Sequence, residues 1–318
     1  MPWTSITTDD IKTLDDVRKV PLVDKSMFKE AQKDKGPHPY GELLAVPIEQ
    51  VMSHSQTSGT TGTPVYLPDS FESFQDWIES WCYCLYGMGF RNRDVVFMPF
   101  PYNVYIGFWM GHLGAQKIGC KVFPGGGLDT RARIRTMKEI EATATMCTPT
   151  YGLHMAKVAA EMGLNLVKDL KINKILVMAE PVTRETKLEL ERLWGADVYE
   201  HIGTAESGAW AASCTEKTGM HVLEHCYLLE VLDRATLSKP VSPGEEGIGV
   251  VTFFGRKSFP CIRFNLMDLM TISPEECPCG RTSKMIESVS GRADMVLKLR
   301  GILFSPVSVE EIIGTKFP

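Results

Sequence analysis

Residues 57–64 read Thr-Ser-Gly-Thr-Thr-Gly-Thr-Pro. Thr57, Ser58, Thr60, Thr61 and Thr63 supply hydroxyl donors, while Gly59 and Gly62 leave the backbone bare. Such a segment can wrap an anion with N–H and O–H groups. It lacks the Gly-Lys-[Ser/Thr] ending of a Walker A loop, which argues against an ordinary P-loop NTPase. A polar surface turn is the competing reading of the octet alone. A second constellation is built from thiols. Cys277 and Cys279 flank one residue in a Pro/Gly turn, and Cys214 lies seven residues before His221. Three thiolates and an imidazole would complete a tetrahedral structural zinc site. The one-residue spacer is tighter than usual, His225 or Cys226 could substitute, and unliganded thiols remain the alternative. Single acids read less sharply. Glu206 fits a solvated or helix-capping carboxylate, Asp268 fits a turn, and Arg263 fits either an ion pair or a ligand contact.

The elements that must position these residues follow from periodicity. A short helix from Asp9 or Asp10 to Val17 and another over 26–33 form a lead-in. Phe71, Phe74, Ile78, Trp81 and Leu85 recur at spacings of three and four behind Ser70 as N-cap, which predicts a core-facing amphipathic helix. Strands are then expected at 95–100, 121–123, 144–147, 174–178 and 196–199. They alternate with helices at 106–118, 130–142, 151–162 and 183–194. This alternation predicts a mainly parallel sheet flanked by helices, with ligands in the loops beyond the strands' carboxyl ends. After residue 222, short β segments at 227–233, 247–254, 261–267 and 270–272 are separated by Pro/Gly turns and predict a small antiparallel sheet. A further strand is expected at 295–299 and a helix at 306–313. The fold class expected is α/β: layered, mainly parallel sheets with flanking helices plus a small antiparallel β subdomain. The expected divisions are 1–222 for the body, 223–293 for the β-rich part and 294–318 for a hinge and the start of another unit.

Composition narrows the function classes. Over 318 residues the chain is 44% apolar and 23% charged, with net charge −5. This fits a globular protein and argues against nucleic acid as the main partner, because a phosphate backbone needs a basic face. No apolar run is long enough to span a membrane and the N-terminus has no signal pattern, so a cytoplasmic location without membrane attachment is expected. Nine cysteines fit free thiols or metal ligands better than a disulfide framework.

Taken together, the motifs occur in a fixed order. They are residues 57–64, Ala179-Glu180-Pro181, His201-Ile202-Gly203-Thr204-Ala205-Glu206, Ile262-Arg263-Phe264 with Asp268-Leu269, and Gly291-Arg292-Ala293-Asp294. This series resembles the adenylate-forming superfamily of acyl-CoA synthetases and adenylation domains. With Pro21-Leu22-Val23-Asp24-Lys25 and Cys277-Pro278-Cys279-Gly280-Arg281-Thr282, it is most similar to the phenylacetate–coenzyme A ligase branch.

The resemblance implies a reaction. A carboxylate attacks the α-phosphate of ATP to give an acyl-adenylate and pyrophosphate, and a thiol, usually of coenzyme A, then displaces AMP. It implies phosphate binding by residues 57–63, and Glu206 as the Mg2+-associated acid. Thr204 and His201 stand beside Glu206 as candidate catalytic groups. Ala179, Glu180, Pro181, Glu200 and Ile202 would line the adenine, Asp268 would accept the ribose hydroxyls, and Asp294 would be the hinge. Tyr102, Tyr105, Phe108 and Tyr151 are candidates for an aryl-acid pocket, with core packing as their alternative. The branch also pairs a Cys…His segment with a Cys-x-Cys turn, consistent with structural Zn2+ at Cys214, His221, Cys277 and Cys279. Partners expected are a small carboxylic acid, ATP/AMP and coenzyme A, with a homodimer left open. Rival readings pass the adenylate to an amine or carrier protein, or bind nucleotide or carboxylate without turnover.

Departures bear on nucleotide binding. Ile202 stands where an adenine-stacking aromatic is usual, Ala205 where a hydroxyl is usual, and Asn265 where an arginine is often found. The family's catalytic lysine lies in a small C-terminal domain beyond the hinge. The expectation is therefore the large domain alone, with impaired turnover.

Overall fold

The computed structural model describes residues 6–33, 36–57, 63–104, 106–295, 297–299 and 302–304. Residues 58–62, Tyr105 and the helix expected at 306–313 lie outside the described residues.

The lead-in departs from expectation. In place of a helix to Val17 there are two short 3-10 turns, Thr8–Asp10 and Asp15–Lys19. The Asp16 carboxylate accepts the backbone N–H groups of Lys12 and Thr13 at 3.0 and 2.8 Å. That local capture competes with the helical ladder and breaks it. Helix α1 (Lys25–Gln32) then begins at Asp24, whose side chain accepts the Met27 N–H. Strands β1 (Val51–Gln56) and β2 (Tyr66–Ser70) pair antiparallel and carry the hydroxyl-rich segment between them.

Ser70 caps α2 (Phe71–Gly87) as the sequence predicts. The buried face differs in detail. Trp77, Trp81 and Leu85, spaced by four, are fully buried with Ile78, whereas Phe71 in the first turn is 63% exposed.

The alternating series follows: β3 (Val95–Met98), α3 (Ile106–Lys117), β4 (Lys121–Pro124), α4 (Thr130–Glu139), β5 (Ala144–Cys147), α5 (Pro149–Glu161), α6 (Leu166–Asp169), β6 (Lys174–Val177), α7 (Arg184–Trp194) and β7 (Asp197–Thr204). Strands β4, β3, β5, β6 and β7 pair in parallel in that spatial order. The antiparallel set is β8 (Gly208–Ser213), β9 (Met220–Val222), β10 (Tyr227–Leu232), β11 (Glu246–Phe253), β12 (Cys261–Ile272) and β13 (Met285–Arg292). A small hairpin, β14 (Leu297–Leu299) and β15 (Ile302–Phe304), follows.

The two sets are joined in one sheet, of eleven strands among the described residues. Strand β7 joins them. Residues 197–200 pair in parallel with β6, and residues 201–204 pair antiparallel with β8. The pairing therefore changes at His201, inside a strand and upstream of residue 222. Each half covers its own core, one around Trp81, Phe97 and Trp194, the other around Phe28, Trp210 and Phe264.

Strand β12 forms a single element where two short strands are expected. Its pairing with β11 runs Val250↔Asn265, then Ile248↔Leu269, so two extra residues of β12 lie between these pairs. The resulting bulge, with Met267 at φ 61°, interrupts the ladder with β11 over residues 266–268, while Asp268 stays paired with Arg292 of β13. Bulges of this kind re-aim side chains beside functional sites.

Candidate functional site

A cavity of about 920 Å³ opens where the parallel strands end. Phe100 follows β3, Thr148 follows β5, Met178 and Ala179 follow β6, and His201, Thr204 and Glu206 come from β7 and its turn. The β12 bulge supplies Met267 and Asp268 from the opposite side, and Lys25 and Thr57 close the rim. Ala179 and Met267 are non-glycine residues in the left-handed region, at φ 69° and 61°. Such conformations persist only where surrounding structure holds them, and they cluster at binding sites.

The cavity brings together Thr57, Ala179, His201, Thr204, Glu206, Asp268 and Phe108 among the residues singled out from sequence. Thr57 and Val65 exchange two hydrogen bonds of 3.0 Å that fix the stem of the hydroxyl-rich loop. The remaining candidates lie beside or behind the cavity. Glu180 accepts hydrogen bonds from the Thr150 side chain, Glu200 pairs with Lys187 at 2.8 Å, and Ile202 packs into the second core. Pro181 is exposed and Thr63 is exposed.

Tyr102 and Tyr151 do not line the cavity. The Tyr102 hydroxyl lies 2.6 Å from His112 Nδ1, and the Tyr151 hydroxyl accepts from Arg133, which also donates to the Gly125 and Gly126 carbonyls. Both are framework groups. The cavity's aromatic wall is instead Trp77, Trp81, Phe100, Phe108 and Phe264. The Trp77–Trp81 spacing of four is the signal that could have placed both on one helix face.

Glu206 is 3% exposed, and its Oε1 accepts no hydrogen bond. Lys25 Nζ lies 3.1 Å from that oxygen, an ion contact not aligned as a hydrogen bond. A buried carboxylate oxygen of this kind fits a hard divalent cation, which takes oxygen ligands. The turn carrying Glu206 is held from behind. Arg256 donates to the carbonyls of Ala205 and Glu206 at 2.8 Å each, and its other nitrogens form a fork on Asp69. Arg256 and Asp69 are both fully buried, and the guanidinium also lies over the Trp77 ring. The sequence carries no spacing signal for this pair, whose members are 187 residues apart. Within the turn, Thr204 Oγ1 accepts the Ser207 N–H at 3.0 Å and contacts the Ser207 hydroxyl, so this hydroxyl shapes the turn as it faces the cavity. Gly208 follows with φ 80°, where a Cβ would meet Trp77 Nε1 at 2.6 Å.

His201 packs against Trp81 with ring centroids 4.6 Å apart. Burial pushes its pKa down to about 4, so it is a neutral imidazole at physiological pH, with a buried, unpartnered Nδ1. Burial raises Asp268 to about 6, while Arg292, 3.9 Å away, opposes the rise. Arg292 is itself forked on Asp294 at 2.9 and 3.0 Å, next to the cavity rim. Arg263, left open from sequence, forms an ion pair. Its guanidinium pairs with buried Glu230 and donates to the carbonyls of Arg18 and Val20.

The second constellation also assembles. Cys214, His221, Cys277 and Cys279 bring one potential ligand atom each within 4.8 Å of all the others. Cys214 Sγ and Cys277 Sγ are 3.6 Å apart, and Cys279 Sγ lies 3.4 Å from His221 Nε2. Zinc–sulfur bonds of ~2.3 Å and zinc–nitrogen bonds of ~2.0 Å in a tetrahedron imply edges of about 3.8 and 3.5 Å. The donor set therefore fits zinc. Thr218 Oγ1, 3.2 Å from Cys277 Sγ, would be its outer support.

Residues 6–255 match the family of AMP-binding enzymes. The chain belongs to that family. It is similar to phenylacetate–coenzyme A ligase of Pseudomonas putida, 28% identical over 95% of this chain and 67% of the relative. The ligase of Aromatoleum evansii is 29% identical over 96% of this chain and 67% of its own length. A solved structure of 2-hydroxyisobutyryl-CoA ligase in complex with an acyl-AMP superposes with a TM-score of 0.90 at 26% identity, covering 98% of this chain and 66% of that one. The chain thus spans about two thirds of these relatives. Among the described residues, no helix is long and apolar enough to cross a membrane.

Proposed function

We propose that the protein is an AMP-forming acid–thiol ligase. It activates an aromatic carboxylic acid with ATP as the acyl-adenylate, then passes the acyl group to coenzyme A. The observation that carries this reading is the convergence of Glu206, Asp268 and the stem of the hydroxyl-rich loop on one cavity lined by aromatic rings. Asp268 accepts the ribose hydroxyls, Ala179 meets the adenine, and the hydroxyl-rich sequence that Thr57 opens binds the phosphates. A carboxylate oxygen attacks the α-phosphorus, pyrophosphate leaves, and a thiolate then attacks the acyl carbon as AMP departs. A magnesium ion at Glu206 would neutralise charge on the phosphates. Trp81, Phe100 and Phe108 present the apolar wall for a flat acid.

The finer assignments belong to the same proposal. Cys214, His221, Cys277 and Cys279 hold zinc, Asp294 serves as hinge, and the protein works as a cytoplasmic enzyme with a homodimer as its candidate assembly. A second reading, a small aliphatic hydroxy acid as substrate, is favoured by the similarity to 2-hydroxyisobutyryl-CoA ligase.

Pyrophosphate release with a panel of aromatic and aliphatic acids tests both readings, on this chain and on a form extended to the length of its relatives. Aromatic acids should give the fastest release, with thioester formation on adding coenzyme A. Faster release with branched hydroxy acids would select the second reading. Nucleotide binding without release by either form, whatever the acid, would leave a binding protein without turnover.

A further inference from the structure

We propose that Lys25 is an exchangeable cation of the nucleotide site. Its ammonium pairs with Glu206 in the nucleotide-free protein, yields the carboxylate to a divalent metal, and then binds a phosphate oxygen. This rests on the nucleotide-binding reading above.

The two partners are held very differently. Glu206 is fixed: its side chain is 4% exposed and its carbonyl is gripped by Arg256. The Lys25 backbone is equally fixed. The Val23 N–H donates to the Arg263 carbonyl at 3.1 Å, and the Asn265 N–H donates to the Val23 carbonyl at 2.8 Å. Arg263 ties down the Arg18 and Val20 carbonyls, and Asp24 caps the helix that Lys25 begins. The Lys25 side chain, by contrast, is 42% exposed, and among the described residues its ion partner is Glu206 Oε1, in an unaligned contact. A flexible four-carbon stem on a fixed anchor can move its charge by several ångströms without disturbing the fold.

Charge balance gives the movement a direction. A divalent ion competes with a single ammonium for a fixed carboxylate even alone, and the more strongly once phosphate oxygens complete its shell. The displaced ammonium then faces an incoming polyanion. Among the described residues, the cationic side chains lining the cavity are Lys25 and Arg292, and Arg292 is forked on Asp294. Lys25 is therefore the lining cation with a charge to offer the phosphates. The staple through Arg263 places it on the same strand system that carries Asp268, so phosphate and ribose contacts share one frame.

Calorimetric titration of ATP with Mg2+, and of adenosine, into the wild type, Lys25→Met and Lys25→Arg reads the phosphate contact. Titration of Mn2+ without nucleotide, followed by electron paramagnetic resonance, reads the competition at Glu206. Lys25→Met should bind ATP about tenfold or more weaker while adenosine affinity is unchanged, as expected for loss of a charge-assisted contact. It should bind Mn2+ more tightly than the wild type, and Glu206→Gln should remove that binding. Lys25→Arg should recover most of the ATP affinity. Unchanged ATP affinity or unchanged Mn2+ affinity in Lys25→Met, with adenosine still bound, would overturn the exchange and leave the nucleotide reading standing. Failure of the wild type to bind either ATP or adenosine would instead overturn that reading and this proposal with it.

Discussion

The cavity around Glu206 and the thiol cluster around Cys277 are both gathered from distant parts of the chain, but they are finished in opposite ways. In the cluster, four candidate ligand atoms lie within 4.8 Å and turn toward one another. In the cavity, Glu206 Oε1, His201 Nδ1 and Trp77 Nε1 are buried without hydrogen-bond partners; in the cluster the one such atom among the described residues is His221 Nδ1, not the Nε2 that meets Cys279. Buried polar atoms are ordinarily satisfied, so three orphans at one cavity mark a place built for something else to complete. Closed donor sets are characteristic of structural metal sites, and open ones of sites that exchange ligands. On the proposed reading, the contrast divides the molecule's polar interior into a part that holds the fold and a part that does chemistry.

The largest expected effect tests the closed site. A structural zinc contributes about 10–16 kcal/mol of apparent binding free energy in small peptides, and that energy is folding energy. Cys277→Ser should therefore lower the melting temperature sharply and reduce bound zinc from one equivalent to a small fraction, by metal analysis of the purified protein. Substoichiometric zinc in the wild type, unaffected by the substitution, would dispose of the metal and leave four packed thiol and imidazole groups.

Next in size is the support behind the open site. Breaking a fully buried ion pair by removing one partner costs about 3–5 kcal/mol, because the other charge is stranded. Asp69→Asn should destabilise the protein by about that amount in urea unfolding. It should also weaken nucleotide binding, since Arg256 holds the carbonyls of Ala205 and Glu206. A loss of stability with intact nucleotide affinity would detach this framework from the site.

Glu206→Gln sharpens the comparison from the other side. The carboxylate is buried with an unsatisfied oxygen, so neutralising it should leave the melting temperature unchanged or raised. Magnesium-dependent pyrophosphate release should fall on the order of 10²-fold, the scale of losing a metal's charge stabilisation. A stability loss as large as that of Cys277→Ser would mean that Glu206 belongs to the framework.

The parallel half was legible because it obeys local rules. Its strands are short apolar runs, and its helices begin at caps such as Ser70, Asp129, Thr148 and Thr183, which periodicity and side-chain chemistry expose. The lead-in was misread because one carboxylate, Asp16, captured two backbone N–H groups that a helix would have used. The antiparallel half was read in pieces. β8 is a wholly buried run in which small residues flank Trp210, and β13 is largely polar, so neither shows a strand's alternation clearly. The β12 bulge made one strand look like two. For the site, residue types and motif order found the groups that face the cavity. Asp69, Arg256 and Lys25 escaped because their partners are set by tertiary placement. Tyr102 and Tyr151 stay ambiguous in sequence because an aromatic with a hydroxyl looks the same there whether it meets a ligand or, as in this structure, His112 and Arg133.

The smallest effect concerns Asp268, which lies between the two categories because it is part of a strand and faces the cavity. Burial raises its pKa to about 6. In the proposed reading the carboxylate above that value offers both oxygens to the two ribose hydroxyls; below it one oxygen carries a proton and acceptance weakens. Adenosine affinity should therefore rise as pH increases through about 6, by about tenfold between pH 5 and pH 7, the scale of one charge-assisted hydrogen bond. Stability should run the other way. A carboxyl whose folded pKa exceeds its unfolded value of about 3.9 contributes stability that is present below pH 4 and is lost as pH rises through about 6. Asp268→Asn should flatten both profiles and hold adenosine affinity near the low-pH value of the wild type. Opposite slopes for binding and stability, both removed by one substitution, are the signature of a group kept in its strand at some cost to the fold because a ligand uses it. Parallel slopes would place Asp268 with the framework beside Arg292.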